Sequence, residues 1–283
     1  MLWQGRRESS NVDDRRGIGG GHIAAGGGIL GVIFLVVKLL MGGNGSDTQL
    51  QLPTQQDQPL SAEEQAAQDQ EAKFVKVVLA ETEDVWHQLM QQAGKNYTEP
   101  TLVLFTGSTQ SACGYASSAT GPFYCPGDQE LYIDLSFYDE LKDRFHASGD
   151  FAMAYVVAHE IGHHIQKLLG TSDKIDRLRQ QLSEGEFNKY SVRLELQADF
   201  FAGVWAHYEK GKNILEQGDI EEALTAANAI GDDRLQKESQ GYVVPESFTH
   251  GTSAQRMYWF KKGFKTGDIN QGDTFGTNDL NGG

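Results

Sequence analysis

Two kinds of hydrophobic spacing divide this chain. From Ser61 the apolar positions Phe74, Val75, Val78, Val85, Trp86 and Leu89 recur at helical intervals, behind a Ser61/Glu64 pair at capping-box spacing. Residues 101–106 (TLVLFT) and 130–135 (ELYIDL) are short strand-like runs bounded by turn residues, and they predict one small sheet. A helix is expected over about 136–145, and residues 151–158, apolar and free of Gly and Pro, begin a longer one. Two or more helices are predicted within 172–209, and Asp219 with Glu222 marks the start of another. Thr252 and Gln255 have capping-box spacing ahead of Met257-Tyr258-Trp259-Phe260, and the chain ends in a Gly/Asp/Asn-rich tail. There is no internal repeat. The pattern predicts one mostly helical α+β domain over 61–283, long enough for a sizeable core.

The N-terminal pattern is different. Residues 23–41 are mostly apolar, about the length that crosses a bilayer as a helix, with Lys38 near enough to the end to snorkel. Arg6, Arg7, Arg15 and Arg16 precede this run, and basic flanks stay cytoplasmic. No small-x-small cleavage site follows cleanly, so an uncleaved signal anchor is expected. Residues 1–22 are then a cytoplasmic N-terminus, 23–41 a single transmembrane helix, and 42–60, rich in Gly, Gln, Asp, Pro and Ser, a flexible linker. Domain 61–283 is expected outside the cytoplasm.

The two cysteines, Cys113 and Cys125, flank a short loop containing Gly114, Gly121 and Pro122, which a disulfide could close in an oxidising compartment. Lys and Arg number 24 against 39 Asp and Glu. Beyond residue 41 the balance is 19 basic against 36 acidic, net −17. That excludes nucleic acid as an expected partner and disfavours adhesion to anionic headgroups.

The chemistry begins at His159-Glu160-Ile161-Gly162-His163. On a helix, positions i and i+4 share a face, so His159 and His163 can aim two imidazoles at one metal ion with Glu160 beside it. Zinc suits two imidazoles plus a carboxylate and leaves a position for water. A third histidine in the HExxHxxGxxH pattern is excluded, because Gln166 and Leu169 occupy the required places. His164 lies off the ligand face, and a hydrogen-bonded or partly exposed role is expected for it. The remaining ligand is expected on the segment 190–208, where Glu195 and Asp199 lie i, i+4 among apolar neighbours. A carboxylate pair in such surroundings needs a metal or hydrogen bonds to offset burial. The economical assignment makes Glu195 the ligand and Asp199 the residue that orients a ligating imidazole; the reverse stays open on sequence. His250, just ahead of the Thr252 cap, is available to hold an oxyanion.

These residues resemble the gluzincin metallopeptidases, which join HExxH to a downstream ExxxD and a later His…Arg loop, here His250 to Arg256. More narrowly, the chain resembles the bacterial membrane-anchored neutral zinc metallopeptidases. The likeness runs through Trp3 to Ser9, Asp14-Arg15-Arg16, Cys113-Gly114, residues 121–126, 131–135 and 159–164, Glu195 to Asp199, and His250-Gly251-Thr252. It implies a zincin-like fold, zinc on His159, His163 and Glu195, Glu160 as general base, and Asp199 and His250 in support. It also implies a peptide or protein substrate and a bacterial inner-membrane protein with a periplasmic catalytic domain. By the same analogy Leu131, Tyr132, Ile133 and Asp134 are expected to form a sheet edge that receives an extended substrate. One departure stands out. The family pattern often has a cysteine after the ExxxD aspartate and another before Asp-Thr-Phe, where this chain has Phe200 and Gly272. The alternative function is a zinc-stabilised, non-catalytic binding or chaperone-like module at the membrane; an enzyme kept latent by its tether or tail is a third reading.

Overall fold

The computed structural model describes residues 1–17 and 62–282. The expected span 23–41, the linker and Ser61 lie outside the described residues. Among the described residues, no helix is long and apolar enough to cross a membrane.

Helix α1 (Ala62–Gln92) buries Phe74, Val75, Val78, Val85, Trp86 and Leu89, the stripe that the helical spacing predicts. The strands are β1 (Val12–Asp14), β2 (Thr101–Phe105), β3 (Ser108–Ser111), β4 (Gly114–Ser117), β5 (Phe123–Cys125) and β6 (Glu130–Asp134). Four form a mixed sheet in the order β1-β2-β6-β5, and β3 pairs with β4 as a separate hairpin. β1 and β6 run parallel to β2, while β5 is antiparallel to β6. Because side chains alternate across a strand, Leu102, Leu104, Leu131 and Ile133 enter the main helical core. Val103, Phe105 and Tyr132 join Cys125 in a smaller cluster. Cys113 and Cys125 are disulfide-bonded.

The remaining helices are the short α2 (Phe137–Asp139, continued by a π turn over Glu140–Arg144), α3 (Asp150–Leu168), α4 (Thr171–Arg179), α5 (Glu184–Gly211), α6 (Asp219–Ala229), α7 (Asp232–Gln240) and α8 (Ser253–Thr266). Reciprocal capping boxes start α5 at Ser183/Glu186 and α8 at Thr252/Gln255. The cap of α6 is Gly218, one residue earlier than its acids suggest.

Glycines set how closely the helices approach. A Cβ on Gly162 of α3 would stand 2.9 Å from both Cα and O of Ala198 on α5. Gly203 of α5 and Gly263 of α8 likewise face the partner backbone, at Phe260 and Phe200. The departure at Phe200 and Gly272 also resolves: the positions face each other, and a Cβ on Gly272 would be 2.5 Å from the Phe200 ring. The aromatic ring occupies this contact, and hydrogen bonds hold the tail. Arg193 donates to the Thr274 and Thr277 carbonyls, Thr274 Oγ1 to Arg193 O, and Gln197 Nε2 to Gly272 O.

Two expectations are corrected. Leu131 to Asp134 is not a sheet edge: β6 lies between β2 and β5, and the terminal strand on that side is β5. Residues 1–17 are not a unit apart from the domain. β1 extends its sheet, with Val12, Asp13 and Asp14 in register with Leu102, Val103 and Leu104.

Candidate metal centre

His159 and His163 lie one turn apart on α3, and Glu195 and Asp199 one turn apart on α5. The glycine contact at 162 lets the two helices meet at this level. His159 Nε2 is 3.2 Å from Glu195 Oε2, and His163 Nε2 is 3.4 Å from Glu195 Oε1. One donor atom from each of the three residues falls within 4.8 Å of the others. A tetrahedral zinc with ligand bonds of 2.0–2.1 Å needs donors about 3.3–3.4 Å apart, so these residues fit that ion.

The other ring nitrogens are fixed. His159 Nδ1 donates to Asp199 Oδ1 at 2.8 Å, and His163 Nδ1 to Gln166 Oε1 at 2.9 Å. Both tautomers therefore turn Nε2 toward Glu195. Asp199, fully buried, also takes Arg256 Nε at 2.9 Å, Arg256 Nη2 at 3.0 Å and the Tyr155 hydroxyl at 2.5 Å. Burial alone would raise its pKa; Arg256 and His159 outweigh that and hold it at about 2. It is thus ionised and can only accept. Of the two acids, Glu195 faces both ligating nitrogens, while Asp199 is saturated on the far side of His159.

Gln166 extends the second support. Its amide nitrogen donates to Leu194 O at 2.6 Å and reaches Gln197 Oε1 at 3.3 Å, and Gln197 in turn donates to Gly272 O at 2.8 Å. A directed series of amides therefore runs from the C-terminal tail to His163.

Glu160 is 9 % exposed, and its Oε2 accepts the backbone N–H of Tyr124 on β5 at 2.8 Å. Burial raises its pKa, with His163 and His159 pulling the other way. A carboxylate poised upward in this way suits a general base near neutral pH. For His163, burial lowers the pKa but the Glu195 charge prevails and raises it to about 9. Burial also opposes the charged form of His250, yet Glu195 and Asp232 raise its pKa. The loop carrying His250 is pinned by Asp232, whose Oδ2 accepts the amides of Thr249, His250 and Gly251 at 2.8, 2.6 and 2.9 Å. His250 Nδ1 pairs with Asp232 Oδ1 at 3.2 Å, and its Nε2 has no hydrogen-bond partner among the described residues. His164 is fully buried between the Tyr124 hydroxyl, 3.0 Å away, and Thr98 O, 2.6 Å away. It is hydrogen-bonded rather than partly exposed.

Sequence reasoning missed the roles of Tyr155, Gln166 and Asp232, and placed Arg256 only within a resemblance. Tyr155 and Gln166 stand at i−4 and i+3 from a ligand histidine, a spacing that could have marked them. Asp232 carries no such signal.

Residues 1–275 match the family described as "Putative neutral zinc metallopeptidase". The chain is 52% identical to "Uncharacterized protein YpfJ" of Escherichia coli (strain K12), over 98% of this chain and 99% of that protein. It is 46% identical to "Uncharacterized protein Rv2575" of Mycobacterium tuberculosis (strain ATCC 25618 / H37Rv), over 69% of this chain and 68% of that protein. No solved structure matches it.

Proposed function

The chain belongs to the neutral zinc metallopeptidase family, and from that premise we propose that it is a zinc-dependent endopeptidase. His159, His163 and Glu195 would hold zinc, and Glu160 would act as general base. When bound, zinc would supply Lewis acidity toward the scissile carbonyl and the attacking water. Glu160 takes the proton from that water and returns it to the leaving amine. The Tyr124 amide fixes which oxygen of Glu160 stays free for this exchange. His250, held by Asp232 with Nε2 unpartnered, offers a donor to the developing oxyanion. Asp199 and Arg256 keep the His159 ring in its ligating orientation. The sheet edge nearest Glu160 is β5, so an extended peptide substrate would lie along Phe123–Cys125 rather than along β6. The Cys113–Cys125 disulfide supports a domain working in an oxidising compartment.

The observation that carries the reading is the convergence of three metal donors with a buried carboxylate next in sequence to one of them. The test is Glu160→Gln in the zinc-loaded protein, assayed against a library of unstructured peptides. The expected result is undiminished zinc with hydrolysis abolished. An active, zinc-loaded variant would overturn the base assignment. A wild type that holds zinc and cleaves nothing would favour the non-catalytic binding module.

A further inference from the structure

Residues 23–41 as a single membrane span would put residues 1–17 and 62–282 on opposite sides of a bilayer. The contacts between these two parts are incompatible with that separation. β1 is paired with β2, and backbone bonds Leu102 N to Asn11 O (2.9 Å) and Arg15 N to Leu104 O (2.8 Å) continue the ladder at both ends. The Trp3 ring packs edge-on against Phe74 of α1, with centroids 5.4 Å apart. A hydrocarbon core about 30 Å thick cannot lie between groups in hydrogen-bond contact.

The arginines used to orient the span are also committed elsewhere. Arg6 pairs with Glu81 at 2.6 Å, and Arg7 with Glu83 and Asp84 at 2.8 Å each. Arg16 pairs with Asp14 at 2.8 Å and Asp69 at 3.2 Å, and Arg15 with Asp13 at 2.7 Å. Glu81 and Glu83 are only 3 % and 2 % exposed. Every hydrogen-bond partner of the Glu83 carboxylate among the described residues comes from the N-terminal segment: Arg7, Ser9 and Asn11. Removing that segment would strand a buried charge. These cations complete the fold of the domain, so they do not report which face of a membrane it occupies.

We propose that residues 1–17 and 62–282 form one body in one compartment. The N-terminus and the metal centre then share the same solvent, and an oxidising compartment for the disulfide is one for both.

The test is the sidedness of single introduced thiols in the full-length protein. Both native cysteines are in the disulfide and no free cysteine competes. Ser10 and Lys95 are exposed, one in each part. Ser10→Cys and Lys95→Cys are treated separately with a membrane-impermeant maleimide, in intact spheroplasts and in inverted membrane vesicles; labelling in detergent verifies that each thiol is reactive. The expected result is the same sidedness for both thiols, or labelling of both in a soluble fraction. Opposite sidedness, with Ser10→Cys reacting only in inverted vesicles and Lys95→Cys only in spheroplasts, would overturn the proposal.

Discussion

Gly162 separates the effects of helix propensity and site assembly. In an isolated helix, Gly→Ala stabilises by about 1 kcal/mol. At this position the new Cβ would meet Ala198 Cα and O at 2.9 Å and Ala198 Cβ at 3.1 Å. Carbon atoms rest about 3.5–4.0 Å apart, so α5 must withdraw from α3 by about 0.6 Å or more. Overpacking of this kind costs about 1–3 kcal/mol, which offsets the propensity gain or exceeds it. The metal centre has less tolerance. Donor distances hold to within about 0.2 Å, and Glu195 rides on the helix that must move. Gly162→Ala should therefore lower zinc affinity at least as far as loss of a supporting hydrogen bond does, about 10–100-fold, with unfolding free energy unchanged or lower by up to about 2 kcal/mol. Zinc competition with a chelating dye and urea unfolding of the metal-free protein measure the two separately. An alanine variant that is more stable and binds zinc like the wild type would refute the argument that this glycine sets the α3–α5 spacing.

Other consequences follow from the same contacts. Gln166→Leu removes the acceptor for His163 Nδ1, and zinc affinity should fall by about 10–100-fold, as read by chelator competition; an unchanged affinity would limit Gln166 to packing. Arg256→Met strips Asp199 of its buried cation, and metal-free unfolding should be easier by about 3–5 kcal/mol in urea. Glu209 is fully buried with Oε2 unpartnered, and burial, only partly countered by Lys212, raises its pKa from 4.5 to about 7. The folded state therefore holds this proton more tightly than the unfolded chain does. The stability it confers is complete below pH 4.5 and is lost as pH rises through about 7, by up to about 3 kcal/mol. The difference in urea stability between wild type and Glu209→Gln, followed from pH 5 to 8, should shift in favour of the variant; a pH-independent difference would contradict the assignment. Cys113→Ser with Cys125→Ser should lower stability by about 2–3 kcal/mol, read by the same unfolding measurement.

The candidate metal donors were legible because their chemistry is written in local spacing: i, i+4 histidines on one apolar helix and i, i+4 acids on another. What decides between Glu195 and Asp199 was not. Arg256, 57 residues beyond Asp199, saturates that acid, and no local pattern encodes the contact. The helices of the core were readable from the Phe74–Leu89 stripe and the Thr252 cap for the same local reason. Strand order was not, since it depends on long-range pairing, and nothing local in residues 131–134 shows that β6 has a neighbour on both sides. β1 was invisible: three residues, two of them acidic, show no alternation, and the strand exists because β2 offers it an edge. The arginines around it match a cytoplasmic flank in composition, yet in the fold they are the partners of buried and surface acids.

The most direct test of the metal centre is zinc content in the purified full-length protein, wild type beside Glu195→Ala. The account predicts near one zinc per wild-type chain under metal-replete conditions, and its loss in the variant. A wild type without zinc, or a Glu195→Ala protein that retains it as tightly, would contradict the assignment of His159, His163 and Glu195 as the ligands.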